Sequence, residues 1–165
     1  NVTWNSGAVF NGTSSYITLP ALSFVDKANA TLIMRVEIDS NQTSFGNLFC
    51  DNNESSSGVS AFLIKTTEVK SYCYPNTAPT PLSISDLKGV VAFTRNTSNT
   101  TQKIIFNSTT ASTTLQSRSG GGTISSATIG VSPNGGTPEY YFKGKISHVG
   151  IFNRVLSDAE VLLWG

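Results

Sequence analysis

The twenty-five residues from Tyr140 to Trp164, next to the final Gly165, constrain the fold most. Ile146, His148, Gly150 and Phe152 alternate with Ser147, Val149, Ile151 and Asn153, a period-two pattern that predicts a strand. From His148 to Phe152 both phases are apolar. That is the expectation for a strand covered on both faces, and it makes His148 a buried structural imidazole. Ser157 stands three residues before Glu160, the spacing of a capping box in which each residue satisfies the other's backbone N–H. Val161, Leu162 and Leu163 follow, and Gly165 stops the turn. The segment predicts a strand, a corner and one helical turn that together close a sheet.

Upstream, short apolar runs recur every 8–12 residues with turn signals between them. Ala8–Phe10 and Tyr16–Leu19 flank Asn11-Gly12. In residues 30–39, Leu32, Met34, Val36 and Ile38 take one face. Thr31, Arg35, Glu37 and Asp39 take the other, with Ile33 the exception. Phe45–Cys50 is a further strand, and Ser60–Lys65 with Val69–Tyr74 reads as a hairpin. Pro75, Pro79 and Pro81 break the sheet. Gly89–Arg95 is a buried strand with Gln102–Asn107 as its predicted partner. Residues 108–123 end in three glycines and read as a flexible connector. Ala127–Val131 precedes the closing segment. The sum is ten to twelve short strands and almost no helix in one domain, residues 1–165, expected to be excised from a larger protein. The fold class is all-β: a two-sheet antiparallel sandwich with a short C-terminal helical turn.

Charge excludes several partners. Only 13% of residues are charged, the net charge is +1, and the eleven Lys and Arg are scattered. Nucleic acid would need a basic patch, so none is expected as a partner. No run of about 18 apolar residues is present, and membrane insertion is not expected. The surface is instead supplied by 23 Ser, 20 Thr and 14 Asn, which suits the outside of a cell or a virion. Sequons occur at Asn1, Asn11, Asn29, Asn41, Asn53, Asn96, Asn99 and Asn107. Chance would supply about 3.6 from the Ser and Thr content, so glycosylation is expected at some of the eight. Cys50 and Cys73 are an even pair in an extracellular setting and predict a disulfide; the alternative is two small buried residues on neighbouring strands.

The order of these pieces resembles the laminin-G-like members of the concanavalin A-like lectin/glucanase superfamily. Ala8–Pro20 is similar to the family's first hairpin. Ala30–Val36 sits where the family has a strand whose usual Trp is here Arg35. Gly89–Arg95 matches an inner strand, and Phe142–Ser157 matches the closing motif, the most specific of the four. The resemblance spans nearly the whole chain. It implies a jelly roll with its ends close together, binding glycans or proteins in most branches and cleaving glycans in some.

Cleavage would need two carboxylates on one sugar bond. Glu37 and Asp39 are the candidates and resemble the start of the family's Glu-x-Asp-x-x-Glu motif, but Gln42 stands where the third acid would be. No Gly-x-Ser-x-Gly elbow exists, His148 is the single histidine, and Gly120–Gly122 lacks the Lys-Ser/Thr of a phosphate cradle. No catalytic residue is assigned. Ca²⁺ is the candidate cofactor, with Asp51 and Glu54 as candidate ligands in an oxygen-rich loop and a solvated turn as the alternative. Glycan binding needs aromatic faces and amides. Tyr72, Tyr74, Asn76 and Tyr140 are the candidate binding residues. The expected role is a non-catalytic recognition or adhesion module of a secreted or virion-surface protein. It would take glycan or a cell-surface partner through rim loops, with neighbouring domains of its parent protein. The alternative is a structural domain of a viral spike, fibre or surface layer, and a glycoside hydrolase comes last.

Overall fold

The computed structural model describes residues 3–4, 6–25, 28–51, 58–74, 81–96, 101–114, 123–133 and 137–165, the side chains of 3–4, 58–61, 72–74 and 113–114 excepted. Among them, two antiparallel sheets stack as a jelly-roll sandwich. One sheet runs β1 (Thr3–Trp4), β2 (Ala8–Asn11), β13 (Lys143–Phe152), β4 (Asn29–Ile38), β9 (Lys88–Asn96), β10 (Thr101–Phe106), β11 (Thr109–Thr114). The other runs β3 (Ile17–Leu19), β12 (Ala127–Ile129), β5 (Gly46–Asp51), β6 (Gly58–Lys65), β7 (Glu68–Tyr74), β8 (Leu82–Ser83). One short helix, α1 (Asp158–Leu162), follows β13.

The main core lies between the sheets. Leu32, Met34, Val36 and Ile38 of β4 pack there with Phe49, Phe62, Phe93 and Phe142. Ile33 points the other way and is still fully buried. It meets Val90, Ala92, Ile105, Leu156 and Val161 in a second, smaller core on the outer face of the seven-stranded sheet. Helix α1 is the cover. Its capping box is formed: the Glu160 N–H donates to Ser157 Oγ at 3.3 Å, and the Ser157 N–H donates to Glu160 Oε2 at 2.8 Å. Trp164 stands edge-on to Phe152 at 5.9 Å and lies over Gly150, where a Cβ would meet the indole at 2.4 Å. Thr31 ties the corner to the sheet. Its buried Oγ1 donates to the Arg154 carbonyl and accepts from the Leu156 N–H, both at 2.9 Å.

The hairpin of β6 and β7, the pairing of β9 with β10 and the closing strand follow the sequence reading. Four expectations are corrected. Ala8–Leu19 is not a hairpin, because β2 and β3 belong to opposite sheets. The Asn11 Oδ1 accepts the N–H groups of Thr13, Ser14 and Ser15 at 2.9–3.0 Å, winding a corner that carries the chain across the core. Residues 109–114 are not a connector but an edge strand on β10, a place that β-branched Thr suits.

His148 is exposed rather than buried, because a bulge after Ile146 shifts the phase. Ile146 stays in the core opposite Val36, while His148 falls opposite the exposed Arg35. Val149 is 40% exposed, since β2 stops pairing with β13 at Ile146.

The Cys50–Cys73 bridge is the fourth correction. β6 lies between their strands, so their Cα atoms are about 9.5 Å apart by two ladder spacings. A disulfide spans at most about 7 Å, and none forms among the described residues. The Cys50 Sγ instead lies 3.6 Å from the Asp51 carbonyl and 3.7 Å from the Ser132 hydroxyl.

Candidate functional site

At one end of the sandwich, the loop 39–45 and the segment 140–143 enclose an open cleft of about 410 Å³. Asp39 braces the start of this loop through Asn41 and Lys143, two residues that line the cleft. One carboxylate oxygen accepts the backbone N–H of Asn41 at 2.8 Å and its side-chain amide at 3.0 Å. These bonds, the backbone one foremost, with Lys143 Nζ at 3.5 Å, hold the Asp39 carboxyl below the usual range. Gln42 is buried. Its amide donates to the Ser44 carbonyl at 2.7 Å, and its side-chain oxygen accepts the Lys143 N–H. The residue at the position of the third acid is therefore a structural tie between the loop and β13.

Tyr140 stands at the cleft edge. It is 52% exposed and sits at φ +52°, a left-handed conformation that costs a non-glycine residue on the order of 1 kcal/mol. A 2.7 Å bond from the Asn47 N–H to the Tyr140 carbonyl pins it there. Tyr141, Phe45 and Asn41 share the cleft. The Phe45 ring is capped by two ammonium groups, Lys70 at 3.7 Å and Lys65 at 4.8 Å from its centroid. The cleft thus offers aromatic edges and faces beside amide and hydroxyl groups, with lysines at its margin.

Of the sequence candidates, Tyr140 lies in this cleft. Tyr72 and Tyr74 are in β7, but their side chains lie outside the described residues, as does Asn76. Tyr141, Phe45, Asn41 and Lys143 complete the cleft; none is among the candidate binding residues read from sequence, where Asn41 is a sequon. The signal for Tyr141 was its adjacency to Tyr140, whereas the approach of loop 39–45 to residue 140 is tertiary. Glu37 and Asp39 each face a lysine: Glu37 is 2.9 Å from Lys88, and Asp39 is 3.5 Å from Lys143.

Asp51 is buried in β5 opposite Ala127 rather than in a solvated loop, and Glu54 lies outside the described residues. Among the described residues, no cluster of three metal-binding side chains occurs. Of the sequons, Asn11 and Asn41 are exposed, and Asn29 and Asn96 are half-buried. Asn107 is turned inward: its side-chain oxygen accepts the Val90 N–H at 3.0 Å, and its amide faces the Lys88 carbonyl at 3.4 Å. Asn1, Asn53 and Asn99 lie outside the described residues. No helix among the described residues is long and apolar enough to cross a membrane.

A comparison with curated proteins returns no match. Solved structures match in fold. The heptameric SAP-like pentraxin from Limulus polyphemus superposes with a TM-score of 0.71 at 13% identity, over 93% of this chain and 78% of that one. The CBM40 of the Ruminococcus gnavus IT-sialidase gives 0.62 at 14%, over 90% of this chain and 97% of the module. The NanB sialidase of Streptococcus pneumoniae gives 0.65 at 16%, over 93% of this chain but only 27% of the enzyme. A family model described as the concanavalin A-like lectin/glucanases superfamily matches residues 11–162. With the two stacked sheets and the sealed closing strand, that match over nearly the whole chain makes it a member of the concanavalin A-like lectin/glucanase superfamily.

Proposed function

We propose that this domain is a non-catalytic glycan-recognition module that binds sugar in the cleft around Tyr140. One observation carries the reading: an exposed aromatic ring is held in a costly left-handed backbone conformation at the mouth of a cleft lined with amide and hydroxyl groups. A sugar packs its C–H face on such a ring, and amides fix its hydroxyls. The likeness to a carbohydrate-binding module that was also solved bound to α2,3-sialyllactose supports the same class of ligand. Against hydrolysis, the Glu37 and Asp39 carboxylates are each engaged by a lysine. The setting we propose is extracellular, with Tyr72, Tyr74 and Asn76 as further sugar-binding residues and with a glycan at the exposed Asn11. A glycan array probed with the wild type and with Tyr140→Ala tests the site. Binding by the wild type and its loss in the variant is expected. Equal binding by both refutes the site, and no binding at all by the wild type turns the reading toward a structural domain.

A further inference from the structure

The outer face of the seven-stranded sheet is covered by α1 at one end and open at the other. In the open half lies a basin of about 390 Å³, within the size range of small-ligand sites. Its charges follow from the register. Lys145 of β13, Glu37 of β4 and Lys88 of β9 stand side by side in one cross-strand row. Arg35 stands one outward position further along β4, between His148 and Val90.

Glu37 is the one acid among the lining residues, and it is engaged by Lys88 at 2.9 Å. Among the described residues, the Lys145 ammonium reaches only the Ser6 hydroxyl, at 3.5 Å. The Arg35 side chain has no ion pair and no hydrogen bond among the described residues. Three cations thus face one carboxylate side chain, and two of them have no counterion among the described residues. The floor is flat and partly apolar at Gly89 and Val90. A Cβ at Gly89 would strike the Asn107 amide at 2.2 Å, and that amide is fixed by the Val90 N–H. Ser147 adds a hydroxyl to the rim.

The basin and the cleft of Tyr140 are separate hollows that both border β13. Lys143 lines the cleft and Lys145 lines the basin. They are two residues apart on β13, about 7 Å. We infer that the basin is a subsite for an anionic group, and that the saccharide bound by this module is acidic, its neutral ring at Tyr140 and its carboxylate or sulfate at Arg35 and Lys145. A bare oxyanion would use the cations but neither the flat floor nor the aromatic cleft beside it. A guanidinium matches either anion with two parallel N–H bonds.

This inference rests on the glycan reading, and the experiment separates the two. Matched neutral, sialylated, uronate-bearing and sulfated oligosaccharides on an array, followed by calorimetry of the hits, are compared for the wild type, Arg35→Gln/Lys145→Gln and Tyr140→Ala. Inorganic sulfate is the control anion. Both basin side chains are outside the cores, and a matching melting temperature verifies that the double variant is folded. The expected result is at least a tenfold preference for an acidic member over its neutral counterpart. That preference should weaken between about 50 and 300 mM salt and should vanish in the double variant while neutral binding persists. The carboxylate and sulfate arms identify which anion is taken. Equal affinity for neutral and acidic members overturns the inference and leaves the glycan reading standing. So does a preference that survives the double substitution, or inorganic sulfate binding as tightly as the acidic sugar. Retention of all binding in Tyr140→Ala refutes the aromatic cleft instead. No binding of any acidic member overturns the inference.

Discussion

Thr31→Val tests how the closing segment is held. Thr31 is fully buried, and its hydroxyl is the one group that bonds both the Arg154 carbonyl and the Leu156 N–H, each at 2.9 Å. Valine has nearly the same shape, so packing is preserved and the perturbation is polar. Leu156 is buried, and its N–H would lose its partner at about 1–3 kcal/mol. The Arg154 carbonyl, in an exposed residue, recovers part of its loss from water. The total is about 2–3 kcal/mol, or roughly 5–10 °C in Tm for a domain of this size. Thr31→Ser keeps both bonds and removes one methyl, costing about 1 kcal/mol. Equilibrium urea unfolding followed by tryptophan fluorescence measures both, with Trp164 against Phe152 reporting on the segment itself. The expected order of stability is wild type, Ser, Val, with an unchanged denaturant slope. A Val variant within about 0.5 kcal/mol of wild type, or one more stable than Ser, would show that the corner is held by apolar contact alone.

Other consequences are as direct. Tyr140→Gly relieves a left-handed tyrosine, so stability should hold or rise by up to about 1 kcal/mol in urea titrations while glycan binding is lost. Arg154 and the Ser157 N–H bring the Glu160 carboxyl down to about 2 from an ordinary 4.5. A carboxyl with a depressed folded-state pKa stabilises above its unfolded value and ceases to do so as pH falls through the folded one. Melting temperatures should therefore drop between pH 4.5 and 2, and Glu160→Gln should flatten that limb. Gly150→Ala should push Trp164 off the sheet, lowering stability by about 1–3 kcal/mol and red-shifting tryptophan emission; an unchanged spectrum would contradict the close approach.

Much of this architecture was legible because its causes are local. The alternation of Leu32, Met34, Val36 and Ile38 needs only the two-residue period of a strand, and the Ser157–Glu160 cap needs only the three-residue spacing of a helix start. Ile33 broke the alternation and looked anomalous. It makes sense only once α1, more than a hundred residues later, folds back over the outer face. The bulge that turns His148 outward leaves no mark in the apolar pattern, which reads the same on either phase. The corner at Asn11 shows why a turn signal names a change of direction and not a partner. Asparagine caps the same backbone N–H groups whether the next strand joins its own sheet or the opposite one.

The sites divide in the same way. Sequence alone determined the class of the chain, a sandwich of short strands with a weakly charged, hydroxyl-rich surface and a capped closing turn, because propensity, period and capping act over a few residues. Which residues meet was decided by the tertiary structure. Loop 39–45 and β5 meet segment 140–143 through the Lys143 N–H to the Gln42 side-chain oxygen and the Asn47 N–H to the Tyr140 carbonyl, and Arg35, Lys88 and Lys145 gather from three strands that are neighbours only in the folded sheet. Sheet order and register are settled by burying one shared core, a sum over the whole chain that no short stretch of it contains.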